Sequence, residues 1–246
     1  PELALEKVDL VLRNGNWRHN LRVDATPPPE WGDRFSLVGL FRAPLLRARD
    51  GNWEHWSGQV FAHFTRVDVS HLRHHADVGI EVAQGRGALR AWADVRSGQV
   101  VGGTADLALA DVNTTLAADL RPLVLPSIQG RLGGRRLTGG FEFSTQALQF
   151  QTDDGLTWPG GNLRLVHTDV NGKAPAQGEL RADRLDLAAL AQVASRLPLG
   201  AAAHDALRTY TPQGLVGEIH ATWKGPLDAL QQYHVKGRIQ GLALAG

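Results

Sequence analysis

The residues best suited to metal chemistry stand in the run His71-Leu72-Arg73-His74-His75, whose i, i+3 and i+4 spacing could put three imidazoles on one helix face. Arg73 among them and the lack of a carboxylate partner favour the plainer reading, a solvated helix end. Asp153-Asp154 and Asp183 with Asp186 could pair as acid and base. Asp-Asp-Gly is ordinary turn chemistry, however, and Asp186 is well placed to cap a following helix. Gly-x-Ser-x-Gly, Ser-x-x-Lys and His-Glu-x-x-His are all absent, and Trp56-Ser57-Gly58 lacks the preceding glycine frame. Gly85-Arg86-Gly87 is not followed by Gly-Lys-Ser/Thr and so is no phosphate loop. The expectation is a protein without a catalytic site, bound metal or cofactor.

Composition narrows the classes further. Lys and Arg number 26 against 25 Asp and Glu, so no field of one sign steers nucleic acid, and no nucleic-acid partner is expected. With 43% hydrophobic and 21% charged residues the chain should fold. No cysteine is present, which excludes disulfides, thiolate metal sites and a Cys nucleophile and fits the cytosol and the bacterial periplasm alike. No run approaches the roughly 18 apolar residues of a membrane-spanning helix. The strand-like start at Pro1, the lack of Met and the end within Gly-Leu-Ala-Leu-Ala-Gly suggest an excised piece of a longer chain.

The elements that would position any site are strands. Leu89, Ala91, Ala93 and Val95 alternate with Arg90, Trp92, Asp94 and Arg96, the mark of a half-buried strand. After a turn at Arg96-Ser97-Gly98-Gln99, Ala105, Leu107 and Leu109 repeat the alternation, which makes a hairpin. The same rule predicts strands through Val8 to Leu12, Leu21 to Ala25, Phe35 to Gly39, Val60 to Phe64, Leu148 to Phe150 and Leu163 to Leu165, with Leu137, Gly139, Phe141 and Phe143 read as one face. Turns are expected at Asn14-Gly15, Asp50-Gly51, Gly133-Gly134, Asp154-Gly155 and Gly160-Gly161. The fold class is mainly β, an antiparallel sheet with a few short helices, chiefly Leu185 to Leu197 and Ala201 to Tyr210.

A long-period repeat runs through this meander. Arg66-Val67-Asp68-Val69-Ser70-His71-Leu72 matches Arg184-Leu185-Asp186-Leu187-Ala188-Ala189-Leu190, each where a strand hands over to a helical turn. A Gly-led strand bearing a Trp follows each copy, Gly87 to Val95 with Trp92 and Gly217 to Lys224 with Trp223. Units of this kind, set at about 1–130 and 131–246 with no firm boundary, stack edge to edge in extended architectures. The apolar side of such strands either meets a second sheet or, in an open sheet, lines a groove for acyl chains, each buried methylene being worth about 0.8 kcal/mol. The seven Trp residues offer either sugar-stacking platforms or ordinary packing, and packing is the reading preferred here.

Gly178-Glu179-Leu180-Arg181-Ala182-Asp183-Arg184-Leu185-Asp186-Leu187, then Gly214-Leu215-Val216, Trp223-Lys224-Gly225-Pro226 and Tyr233 to Ala245, resemble the YhdP-like proteins of the AsmA and TamB group. Trp31-Gly32-Asp33-Arg34-Phe35 and Gly139-Gly140-Phe141-Glu142-Phe143-Ser144 fit as well, so the likeness covers nearly the whole chain. The resemblance implies an elongated, twisted β-groove in the periplasm of a Gram-negative bacterium, joined to the inner membrane by an anchor outside this piece and flanked by neighbouring segments of the same chain. It also implies phospholipid acyl chains as the partner. The lipid-facing candidates are Leu89, Ala91, Val95, Ala105, Leu107, Leu109, Leu137, Phe141, Phe143, Leu163, Leu165, Ile219, Ala221, Val235 and Ile239. The alternative is a scaffold domain of the envelope with a closed core.

Overall fold

The computed structural model describes residues 4–44, 52–71, 81–169, 175–226 and 230–244. Thirteen strands make one sheet: β1 (Glu6–Asn14), β2 (Arg18–Thr26), β3 (Phe35–Arg42), β4 (Ser57–Asp68), β5 (Glu81–Arg96), β6 (Gln99–Thr115), β7 (Leu123–Leu137), β8 (Gly140–Gln151), the two-residue β9 (Thr157–Trp158), β10 (Leu163–Thr168), β11 (Gln177–Asp186), β12 (Gln213–Lys224) and β13 (Gln232–Ala243). Every pairing is antiparallel and follows chain order, with β9 a short side branch on β8. β1 and β13 are the outer edges of this open sheet, and every residue in both is exposed.

Local sequence explains the connections. At the β5–β6 hairpin Arg96 pairs with Gln99, and Ser97 and Gly98 between them take φ of 50° and 70°, the turn whose twist matches the flanking strands. The Asp68 and Asp186 copies of the repeat each end their strand, β4 and β11. Asp68 accepts from the Ser70 backbone N–H and hydroxyl, while Asp186 caps α1 (Leu187–Val193) by accepting from Ala189 N–H at 3.0 Å. A 3-10 turn at Ala194–Arg196 extends α1, and α2 spans Ala201–Tyr210, as the spacing predicts. His204 Nε2 bridges the Ala194 and Leu197 carbonyls at 2.9 and 3.1 Å, tying α2 to that turn. No helix among the described residues is long and apolar enough to cross a membrane.

Two expectations need correction. Gly133-Gly134 is not a turn: both glycines lie inside β7, opposite Thr104 and Gly103 on one side and Ser144 and Phe143 on the other. Ladders on both flanks satisfy their backbone groups, which outweighs the local preference of Gly-Gly for a bend. Leu137 pairs with Gly140 across the two-residue turn Thr138-Gly139, so it shares a face with Gly140 and Glu142, opposite Phe141 and Phe143. The residues 130 and 131 at which the two approximate units were divided both fall within β7. Asp50-Gly51 lies outside the described residues.

Bulges re-aim several strands. Lys7, Asp111, Ala147 and Glu218 hold φ of 47°, 54°, 49° and 51° within β1, β6, β8 and β12. Register shifts accompany them between Glu6 and Asp9, Gln84 and Arg86, Gln129 and Arg131, and Gly217 and His220. A non-glycine residue held there costs about 1–3 kcal/mol. Ala147→Gly is therefore expected to raise stability by about 1 kcal/mol, read as a higher urea midpoint at unchanged slope.

An open apolar face and its rims

Partnered residues in neighbouring strands share a face, so the register reads directly as rows running across the sheet. One row joins Leu10, Val23, Leu37, Ala62, Ala91, Ala105, Leu132, Thr145, Leu163, Ala182 and Ile219. The next joins Leu12, Leu21, Gly39, Val60, Ala93, Gly103, Gly134, Phe143, Leu165, Leu180, Ala221 and Val235. A third carries Ala25, Phe35, Phe64, Leu89, Leu107 and Gly130, and Leu109 continues through Ile128 to Phe150 and Trp158. Val95 and Ile239 lie on the same face by alternation within β5 and β13. Of the fifteen lipid-facing candidates, Leu137 alone falls on the other side.

This face is only partly covered. Leu10 and Leu12 are 62% and 56% exposed, Phe141 and Phe143 39% each, and Val235 and Ile239 61% and 54%. Those values exclude a second sheet lying over the rows. At Gly134 an added Cβ would meet nothing within 4 Å, so open space stands above the middle of the sheet. The two buried hydrophobic clusters lie at one end of the strands, while Thr145, Ala182 and Ile219 of the first row are themselves buried, at 8%, 7% and 8% exposure. In the clusters Val112, Leu123 and Leu125 pack with Leu109, Leu116, Ile128 and Phe150, and Leu156, Ala189 and Val193 pack with Phe150, Trp158 and Leu197. Because Phe150 belongs to both clusters, α1 sits on the apolar face and roofs that end. Arg196 fastens the roof to the 152–156 loop through Asp154 at 3.0 Å; hydrogen bonds from Thr152 and then Arg196 hold that carboxyl at about 2.

The opposite face is a lattice of paired charges. Arg90 and Arg131 flank Asp106 from neighbouring strands, and Arg131 above all keeps its carboxyl below the usual range. Arg164 bonds Glu142 at 2.8 Å, while Arg181 and His220 both reach Glu179, at 2.7 and 2.8 Å. Asp24 takes hydrogen bonds from Arg22 and Ser36, which hold it at about 2. Such exposed pairs contribute little stability one by one; their arrangement marks this side as the one that meets water.

The residues weighed for chemistry have other partners. His71 stacks on Trp31 with ring centroids 4.7 Å apart, and His74 and His75 lie outside the described residues. Among the described residues no three His, Cys, Asp or Glu gather as metal ligands do. Asp183 accepts from the Asn162 backbone and side-chain N–H groups, both at 2.8 Å. The Trp residues are divided: Trp17 and Trp53 are 51% and 62% exposed, Trp56 stacks on His19 at 3.9 Å, and Trp92 meets Phe61 on the charged face. Trp223, by contrast, shares the apolar face with Ala221, so the two Trp residues of the repeat point to opposite sides.

The family model described as YhdP protein matches residues 2–245. This chain belongs to the YhdP family. No curated protein and no solved structure matches it. In this YhdP family chain the sheet is open, with one apolar and one charged face.

Proposed function

We propose that this YhdP family chain is a non-enzymatic stretch of a bridge-like lipid conduit in the periplasm, its apolar face shielding phospholipid acyl chains between the inner and outer membranes. The observation that supports this reading is the pair of predominantly apolar rows crossing eleven and twelve strands with no second sheet over them. At about 4.8 Å per strand, the twelve-strand path extends roughly 50 Å, longer than a single acyl chain and suited to several lipids in file. Acyl chains supply the apolar partner that a second sheet would supply in a sandwich, at about 25 cal/mol per Å² covered.

The edges fit a longer conduit. Val8, Leu10 and Leu12 on β1 and Tyr233, Val235 and Ile239 on β13 are exposed apolar residues on edge strands, which protect such surfaces by pairing. Neighbouring segments of the same chain continue the sheet there, and the inner membrane is reached through an anchor elsewhere in that chain. A scaffold with a closed core fits less of the molecule, since the buried hydrophobic clusters lie at the roofed end and Leu10, Leu12, Val235 and Ile239 on the same face are exposed.

Photo-crosslinking in cells tests the reading. Photo-reactive residues at Leu107, Phe141 and Leu165 on the apolar face are expected to capture phospholipid, and those at Thr104 and Ser144 on the charged face are not. Capture confined to the charged-face positions would refute it.

A further inference from the structure

We propose that the apolar face carries a station for a lipid phosphate at the end away from the helical roof, formed by Arg136, His167 and Trp223. The inference deepens the lipid reading and rests on it. Register sets Arg136, Phe141, His167, Gly178, Trp223 and Tyr233 in one row across β7, β8, β10, β11, β12 and β13. Each stands one residue from its strand's end. The row is therefore a rim, where the apolar floor gives way to water. Tyr233 is 76% exposed there and Phe141 39%.

The polar atoms in this row lack partners. His167 Nδ1 and Trp223 Nε1 are both buried without a hydrogen bond among the described residues. An indole N–H can only donate, so what satisfies Trp223 must be an acceptor. The two rings lie 6.3 Å apart and 13° from parallel, with Phe141 5.9 Å beyond the imidazole. Gly178 leaves the space that the indole fills: a Cβ there would stand 2.1 Å from Trp223 Cζ2. Arg136 is exposed and forms no ion pair among the described residues, whereas Arg135 beside it reaches Asp94 on the charged face. No carboxylate stands in the row.

A guanidinium and two ring nitrogens, set where an acyl-compatible floor meets water, match an anionic oxygen group attached to apolar chains. The phosphodiester of a glycerophospholipid has that chemistry. Arg136 and His167 are two strands apart, roughly 10 Å, a gap that the long arginine side chain and a phosphate together span.

The test loads the full chain from vesicles of phosphatidylglycerol and, separately, with diacylglycerol, which has the same chains and no phosphate. H167F with W223F keeps an aromatic ring at each position and removes the ring nitrogens; R136Q removes the cation at an exposed position and serves if the aromatic pair does not fold. Phosphatidylglycerol retained per protein is expected to fall about fivefold or more in each, with diacylglycerol unchanged. The indole N–H resonance assigned to Trp223 through its loss in W223F is expected to shift on loading with phosphatidylglycerol and to stay in place with diacylglycerol. Equal loss of both lipids, or a stationary Trp223 resonance, overturns the station while leaving the lipid reading intact. A shift produced by inorganic phosphate alone assigns the site to free phosphate and also overturns it. Failure of the unaltered chain to take up either lipid overturns both readings.

Discussion

Val193→Asp is expected to detach the helical roof from the sheet at a cost of about 4 kcal/mol. Val193 is 0% exposed and packs among Leu156, Ala189, Phe150, Trp158 and Leu197, with no polar group in that cluster to receive a carboxyl. The consequence should remain local. Each strand makes its main contacts with its two neighbours in chain order, so cooperativity along the sheet is carried from strand to strand and a lesion at α1 need not reach β2. Hydrogen exchange checks this: amides of 152–158 and 187–197 should lose protection while those of β2 to β4 keep it. Uniform loss of protection along the chain would show that the sheet depends on the roof for its stability.

Leu107→Asp combined with Leu165→Asp should have the converse effect, abolishing lipid capture while the sheet stays folded. Both leucines are half-buried on the open rows, flanked by Leu89 and Gly130 in one case and by Phe143 and Leu180 in the other. A carboxylate at either position can remain hydrated in the free protein, so the stability cost is about 1 kcal/mol each. Bound acyl chains would remove that water, and a charge facing hydrocarbon without a partner is prohibitive. Phospholipid recovered with the protein is expected to drop by about tenfold or more, with the thermal midpoint lowered by only a few degrees. Global unfolding of this variant would mean that the rows form a closed core.

The two variants differ because burial is uneven along one apolar pattern. In sequence, Leu107 and Leu165 look as core-like as Val193. Only the placement of α1 over Phe150 and Trp158, and of nothing over Phe143, separates them.

Local order in the sequence specifies much of the sheet. The Leu89 to Val95 alternation, the Ser97-Gly98 turn and the Ala201–Tyr210 helix all occur where residue type and spacing put them, because each depends on a few consecutive dihedral angles. Both Asp copies of the repeat end their strands for a similar reason: a short carboxylate accepting the N–H groups just beyond it competes with further ladder bonding. The two faces and their opposite chemistry follow from period two alone.

That period does not survive a turn or a bulge. Leu137 lies opposite Phe141 because a two-residue turn pairs residue i with i+3, an odd step that resets the count. The αL residue Ala147 does the same within β8, so Thr145 and Phe150 share a face although their spacing is odd. The rim row escapes sequence reading for a related reason, since Arg136, His167 and Trp223 come from three strands whose order only the ladder fixes.

The alternating apolar residues, by themselves, determine that one side of this chain must leave water; they carry no information on what covers it. Coverage depends on long-range placement: one helix roofs one end, and eleven successive antiparallel pairings leave the rest open. A hydrophobic face has the same period whether protein or lipid lies against it, and only the tertiary structure decides which space is left empty.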